Sequence, residues 1–304
     1  MLHSKYMANL PTTPLPDGPD PSSLLKEVRR TFGDYDGPWE FRPGNDSLVF
    51  ASTTRLVKIA QSSVKETSLA KGAALPRTLV ASGIAALLPL NDELMSTPLG
   101  LASVWPLIEH LETTPETLSY HQARRLGRAV ASIAHYEGPV PDLGDHFEYA
   151  HREIDSSLLS ASILARAHAL TTLVQNATAH LYTGPQAFAH GDLHLFNALF
   201  LPDDTLTIID WDYAGVAPLG WDVAYLRTHL LLTCAARDRF NDVFRAYQTA
   251  GGLVPTRFGP LCLVNTLLGL TFRMTSNPDE AYVIHLLDTI ETWVTTQREP
   301  SSLD

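Results

Sequence analysis

The sequence predicts an α+β protein of two lobes, a small sheet-containing N-terminal lobe and a larger, mainly helical C-terminal lobe. Three observations predict it. Short β-patterned runs cluster between residues 39 and 107, helical periodicity dominates after residue 111, and the charge balance changes at the same place. Residues 1–110 carry 11 acidic and 10 basic side chains, whereas residues 111–304 carry 22 and 12. The whole chain has 304 residues and a formal net charge of −11, and all five lysines lie at or before Lys71.

The elements follow in order. Residues 1–20 hold Pro11, Pro14, Pro16 and Pro19 with little periodicity and read as a flexible segment. Asp20 before Pro21 is a helix start, Leu24, Leu25 and Val28 give that helix an apolar side, and Gly33 ends it. The Gly44-Asn45-Asp46 turn separates strand candidates at Trp39-Glu40-Phe41 and Leu48-Val49-Phe50, and Leu56-Val57-Lys58-Ile59 is another. A helix opening at Glu66 is expected to stop at Pro76, with apolar pieces at 84–88 and 101–107 completing the sheet. The first lobe is placed at 21–110, including a hinge, and the second at 111–304.

Thr114-Pro115-Glu116 reads as the start of the helical region, and a second long helix spans about 156–181. A β island then interrupts. Ala187-Phe188-Ala189 leads into a loop, and Ala198-Leu199-Phe200 and Leu206-Thr207-Ile208-Ile209 form hairpin arms around Pro202-Asp203-Asp204. Helices are expected again at about 222–235, 239–250, 260–274 and 279–294.

Composition narrows the function classes. Hydrophobic residues make up 45% of the chain and mean hydropathy is −0.02, values of a globular protein. An acidic chain is a poor partner for a phosphate backbone, so nucleic acid is not expected as a ligand. No run approaches the roughly 18 apolar residues of a membrane span, and no signal-like apolar segment is evident, so neither membrane nor secretion is expected. Cys234 and Cys262 read as buried thiols, with a single bridge as the alternative. The expected location is the cytoplasm.

The strongest chemical signal sits around the hairpin. Asp192 and Asn197 are five positions apart, and Asp210 follows the apolar Ile208-Ile209 pair. Phosphoryl transfer needs a carboxylate to orient or deprotonate a hydroxyl, and oxygen ligands for magnesium to offset charge on the transferred group. This constellation supplies both. A zinc hydrolase is the rival, since His190 and His194 are four apart; the H-E-x-x-H helix it needs is broken by Gly191, and a third ligand is not evident. The G-x-S-x-G elbow of serine hydrolases is absent.

The segment His190-Gly191-Asp192-Leu193-His194-Leu195-Phe196-Asn197, followed by Ile209-Asp210-Trp211-Asp212, resembles the catalytic and metal-binding motifs of the aminoglycoside phosphotransferase and choline kinase-like superfamily. Gly220-Trp221-Asp222-Val223-Ala224-Tyr225-Leu226 resembles its later D-x-A segment. The resemblance implies a two-lobed protein kinase-like fold with the active site between lobes, and it implies ATP and Mg2+. Asp192 is implied as base, Asn197 and Asp210 as metal ligands, Asp222 as support, and His190, His194 and Asp212 as supporting groups. Leu195 and Phe196 stand where many members have proline and glycine. In the first lobe, Gly44 and Asn45 resemble the nucleotide-covering turn, Lys58 the phosphate-directed lysine, Glu66 its ion-pair partner, and Trp105 and Leu107 the hinge beside adenine.

The implied activity transfers the γ-phosphoryl group of ATP to a hydroxyl-bearing small molecule. The acidic second region favours a cationic acceptor, an aminoglycoside or other cationic antibiotic first, with Asp212, Asp238 and Asp279 as contacts. A kinase of an endogenous amino alcohol, sugar or other metabolite is the alternative. A noncatalytic kinase-like binding module is a further one, set against the retention of Lys58, Asp192, Asn197 and Asp210.

Overall fold

The computed structural model describes residues 20–33, 37–43, 47–60, 62–91, 93–140, 146–233, 236–254, 258–276 and 279–296. The flexible segment expected at 1–20 lies outside these except for Asp20, and so do Gly44, Asn45 and Cys234. The architecture is two-lobed, with a small β-sheet lobe and a larger helical one. The chain divides into one unit of residues 1–112 with Leu199–Tyr213, and a second of Thr113–Ala198 with Ala214–Asp304.

In the first unit, α1 (Pro21–Phe32) is closed by Gly33 at φ 74°. Strands β1 (Glu40–Pro43), β2 (Leu48–Ala51), β3 (Arg55–Ile59), β4 (Met95–Thr97) and β5 (Gly100–Pro106) form an antiparallel sheet in the order β1-β2-β3-β5-β4. Alternation sets its faces. The cross-strand rows Leu48–Ile59–Ala102 and Phe50–Val57–Val104 are buried in one cluster with Leu24 and Val28 of α1. The row Val49–Lys58–Ser103 points the other way, which is how a lysine sits mid-strand without entering that core.

Helix α2 (Ser63–Ala81) starts at a Ser62 cap and continues through Pro76. Proline therefore does not stop it as the sequence suggested: Leu69, Leu75 and Leu79 are buried along its length, and that packing outweighs the missing amide bond. The 84–88 piece is not a sheet strand either, making only a bridge from Ala86 to Ile208.

Ile208 belongs to the segment Leu199–Tyr213, which contains most of β7 (Ala198–Phe200), β8 (Leu206–Ile208) and the 3-10 turn Trp211–Tyr213. It joins the first unit although the sequence places it within 111–304. Leu87 and Leu111 donate backbone hydrogen bonds to Ile208 and Phe200, and Phe200, Ile208 and Trp211 are wholly buried. This reassignment changes the charge ledger. The first unit holds 16 acidic and 10 basic residues and the second 17 and 12, so their net charges are −6 and −5. The contrast read across residue 110 disappears because four aspartates, Asp203, Asp204, Asp210 and Asp212, return to the sheet unit.

The second unit comprises α3 (Tyr120–Ala134), α4 (His146–Ser156), α5 (Ala161–Tyr182), the antiparallel pair β6 (Gln186–Ala189) and β9 (Gly215–Pro218), and α6 (Trp221–Arg227), α7 (Arg237–Thr249), α8 (Phe258–Ser276) and α9 (Glu280–Thr296). The 114–118 stretch is one turn tied by Thr114. Helix α3 begins at Ser119, whose side chain and that of Gln122 cap each other's backbone amides. A π-helical stretch, Thr228–Thr233, follows α6. Val174, Leu267, Leu270, Leu287 and Ile290 belong to its main core. Cys262 is buried and free. No helix among the described residues is long and apolar enough to cross a membrane.

Candidate active site

Two groups of polar side chains are built, one in each unit. In the sheet unit the half-buried Lys58 ammonium donates to Asp210 Oδ1 and Asp212 Oδ2, each at 2.8 Å. Burial disfavours its charge, but attraction to both carboxylates and the hydrogen bonds to them outweigh this and raise its pKa above the usual lysine value. Asp212 is the more enclosed carboxylate, with 10% of its side chain exposed against 40% for Asp210. Burial raises the pKa of Asp212, Lys58 opposes the rise, and the charge of Asp210 adds to it. Asp210 adopts φ 65°, a left-handed backbone that a non-glycine residue rarely takes and that functional sites often carry.

Several first-lobe expectations are revised. Glu66 is not the ion-pair partner of Lys58, since Asp210 and Asp212 take that place. Glu66 lies in the first turn of α2, while the residue of that helix against Asp212 is Gly72, six residues or about 9 Å further along. The Leu107 amide donates to the Thr54 carbonyl at 2.7 Å, so it is not presented as a donor to a base. Trp105 is buried and donates from Nε1 to Ser103 Oγ at 2.8 Å.

In the helical unit, β6 delivers the chain into the loop at His190. Asp222, in the first turn of α6, accepts the His190 amide on Oδ2 at 2.8 Å and the Gly191 amide on Oδ1 at 3.1 Å. Gly191 turns at φ 90°, a conformation suited to glycine, and its carbonyl accepts Trp221 Nε1. Burial pushes the Asp222 pKa up to about 7, against the two amide bonds and with the help of Asp192. His190 is wholly buried and its Nδ1 accepts the Asp192 amide at 3.3 Å. That bond fixes the imidazole to the loop.

Asp192 gathers its neighbours. Asn197 Nδ2 donates to the Asp192 carbonyl at 2.9 Å and lies 3.4 Å from Oδ2, which His194 Nε2 approaches at 3.7 Å. Tyr225 donates to Oδ1 at 2.6 Å. The resemblance gives this tyrosine no role, although it lies within the 220–226 segment and follows Asp222 by three positions, one helical turn. Leu195 is buried, whereas Phe196 is 56% exposed and stands edge-on to His194 and His229 at 5.7 and 6.1 Å between ring centroids. Burial, with the charge of His194, depresses His229 to about 4, so it is neutral near pH 7.

The other proposed acceptor contacts are not gathered here. Asp212 is committed to Lys58, Asp238 is exposed in the first turn of α7, and Asp279 accepts the Ala281 and Tyr282 amides at the start of α9.

The donor chemistry suits magnesium. Carboxylate and amide oxygens are hard ligands, and Mg2+ is held by one or two protein oxygens together with phosphates and water. The Nδ2 contacts of Asn197 turn its Oδ1 away from Asp192, and Asp210 is the more accessible of the two Lys58 carboxylates. No cluster of three or more His, Cys, Asp or Glu that could cage a metal occurs among the described residues.

The profile described as the phosphotransferase enzyme family matches residues 40–259. No curated protein matches the chain. Among solved structures, a choline/ethanolamine kinase family protein from Mesorhizobium loti is similar at 19% identity and TM-score 0.59, over 89% of this chain and 93% of that one. Choline kinase LicA from Streptococcus pneumoniae is similar at 13% identity and TM-score 0.68, over 90% and 99%. Spectinomycin phosphotransferase in complex with ADP and spectinomycin is similar at 14% identity and TM-score 0.59, over 94% and 96%. At these identities the likeness is one of fold.

Proposed function

The chain belongs to the phosphotransferase enzyme family and is an ATP-dependent phosphotransferase of small-molecule hydroxyls, and on that premise we propose an amine-bearing acceptor and a role for each site residue. The observation that carries the reading is the loop from His190 to Asn197. Its backbone amides are tied to Asp222, and its one carboxylate, Asp192, is held by Tyr225 and Asn197. Asp192 is the base. It takes the proton of the acceptor hydroxyl as that oxygen bonds to the γ-phosphorus and the bond to the ADP oxygen breaks.

Asn197 and Asp210 are the residues that would hold Mg2+, and the ion would supply charge neutralisation at the phosphate oxygens. Lys58 contacts the phosphates, and Asp212 keeps its ammonium in place, the part first assigned to Glu66. His190 and Asp222 fix the loop backbone, His194 flanks the base, and Gly44, Asn45 and Trp105 belong to the nucleotide side. Excluding water at Asp192 limits loss of the phosphoryl group to hydrolysis.

For the acceptor, an aminoglycoside or other cationic antibiotic is the first class and an amino alcohol the second. Spectinomycin, choline and ethanolamine, named for the similar structures, all pair a cationic nitrogen, an ammonium or in choline a quaternary ammonium, with a hydroxyl. The nearly even charges of the two units leave net charge favourable to a cation of either class and rank neither above the other. The test is Mg2+/ATP turnover, followed by mass detection, across aminoglycosides, spectinomycin, choline, ethanolamine, sugars and macrolides, with Asp192→Asn as control. Transfer to an amine-bearing acceptor that falls at least about a hundredfold in the variant, with nucleotide affinity unchanged, is expected. ATP binding without transfer to any acceptor would turn the assignment toward a binding module. Equal loss of nucleotide affinity would remove Asp192 from the role of base.

A further inference from the structure

We propose that Tyr225 is a positioning residue for the transfer reaction, its phenol fixing the Asp192 carboxylate in the orientation from which Asp192 receives the acceptor's proton. The proposal rests on the assignment of Asp192 as base made above. The geometry is unequal at the two carboxylate oxygens. Tyr225 reaches Oδ1 at 2.6 Å, a short charge-assisted bond, whereas the contacts of Oδ2 with Asn197 and His194 are 3.4 and 3.7 Å. Rotation of the carboxylate is thus set from the Oδ1 side, with Oδ2 directed toward Asn197 and His194.

The tyrosine is rigidly carried. Asp222 and Tyr225 lie three apart on α6 and share one helix face, so a single short helix holds the loop backbone through Asp222 and its carboxylate through Tyr225. Ala224 and Leu226 on either side are wholly buried, and the Ala224 carbonyl accepts Thr228 Oγ1 at 3.0 Å. Burial and the neighbouring Asp192 charge also raise the phenol's pKa well above its ordinary value, so the hydroxyl stays a donor. A donor on a carboxylate favours its charged form and weakens it as a base, so the contribution is orientation rather than activation. In the transfer step the acceptor proton passes to Asp192, and Tyr225 keeps its own.

The test is Tyr225→Phe, which removes one oxygen and leaves the ring. Crystal structures of the natural chain and the variant locate the Asp192 carboxylate. Kinetics use choline and kanamycin as acceptor probes, and ADP titration and thermal unfolding check the nucleotide site and the fold. Expected are an Asp192 carboxylate turned from its original orientation or split between two, a kcat about tenfold lower, and acceptor KM and ADP affinity within twofold. An unmoved carboxylate with unchanged or raised kcat would overturn the proposal. So would a fall in kcat matched by losses of ADP affinity and thermal stability, which would mean packing alone. If the natural chain phosphorylates neither probe, the acceptor class is what fails, and the carboxylate position in the variant still decides the role of Tyr225.

Discussion

Asp222 shows how one residue in the site is held between opposing demands. Its carboxylate satisfies two loop amides but is buried near a second aspartate, and the balance lifts its pKa to about 7 from an ordinary 3.8. The folded chain therefore binds this proton more tightly than the unfolded one. The stabilisation is complete below pH 3.8 and is lost as pH rises through about 7. An Asp222→Asn chain does not titrate there, so the stability of the natural chain relative to it is expected to fall by about 3 kcal/mol between pH 5 and pH 8. Urea midpoints of both proteins at the two pH values measure the difference. A natural chain that instead gains stability relative to the variant toward pH 8 would mean that the amide bonds to the charged form dominate. Asp192 and Asn197 were legible in the sequence as an acid and an amide five positions apart in one loop, and Asp222 through the segment that resembles the family's D-x-A motif. Tyr225 was not, because a phenol one turn into an apolar helix carries no local mark of the carboxylate that the fold brings to it.

At the scale of the element, α2 decides how Lys58 is presented. The sequence misleads here in two ways: Pro76 suggests a stop, and the family resemblance implies a helix carboxylate, Glu66, as the partner of Lys58. Neither argument could include Asp212, whose contact with Lys58 spans more than 150 positions. The helix instead approaches Asp212 at Gly72, four residues before Pro76, where a side chain would overlap Asp212 Oδ1 and stand 3.0 Å from its Cγ. Alanine would ordinarily favour a helix interior by about 1 kcal/mol over glycine. At this position the clash is expected to win, with Gly72→Ala destabilising the protein by about 2 kcal/mol and loosening the Asp212 bond to Lys58. Nucleotide affinity should then fall about tenfold, read by ADP titration alongside urea unfolding. A variant more stable than the natural chain, with affinity intact, would show that Asp212 moves aside at no cost and does not hold the lysine.

For the molecule as a whole, the sequence conveyed the two-lobed architecture but not that the smaller unit is discontinuous. Hydrophobic periodicity reports which face of an element is buried and not which distant core buries it, so Leu199–Tyr213 could only be read with its sequence neighbours. This segment brings Phe200, Ile208 and Trp211, all wholly buried, into the sheet unit, together with both carboxylates of Lys58. Burial of each large apolar side chain contributes about 1.5–3 kcal/mol, so three of them match a substantial part of the roughly 5–15 kcal/mol that stabilises a domain. Breaking the Lys58 pairs adds to the loss. A fragment of residues 1–112 alone is accordingly expected to lack a cooperative urea transition and near-ultraviolet dichroism, even where strands persist. Fusing residues 199–213 to its C-terminus through a flexible linker should restore both signals, since the missing contacts belong to that unit. A cooperative transition in the 1–112 fragment itself would show that the sheet and α1 form a self-sufficient core, with the returning hairpin serving only to supply Asp210 and Asp212.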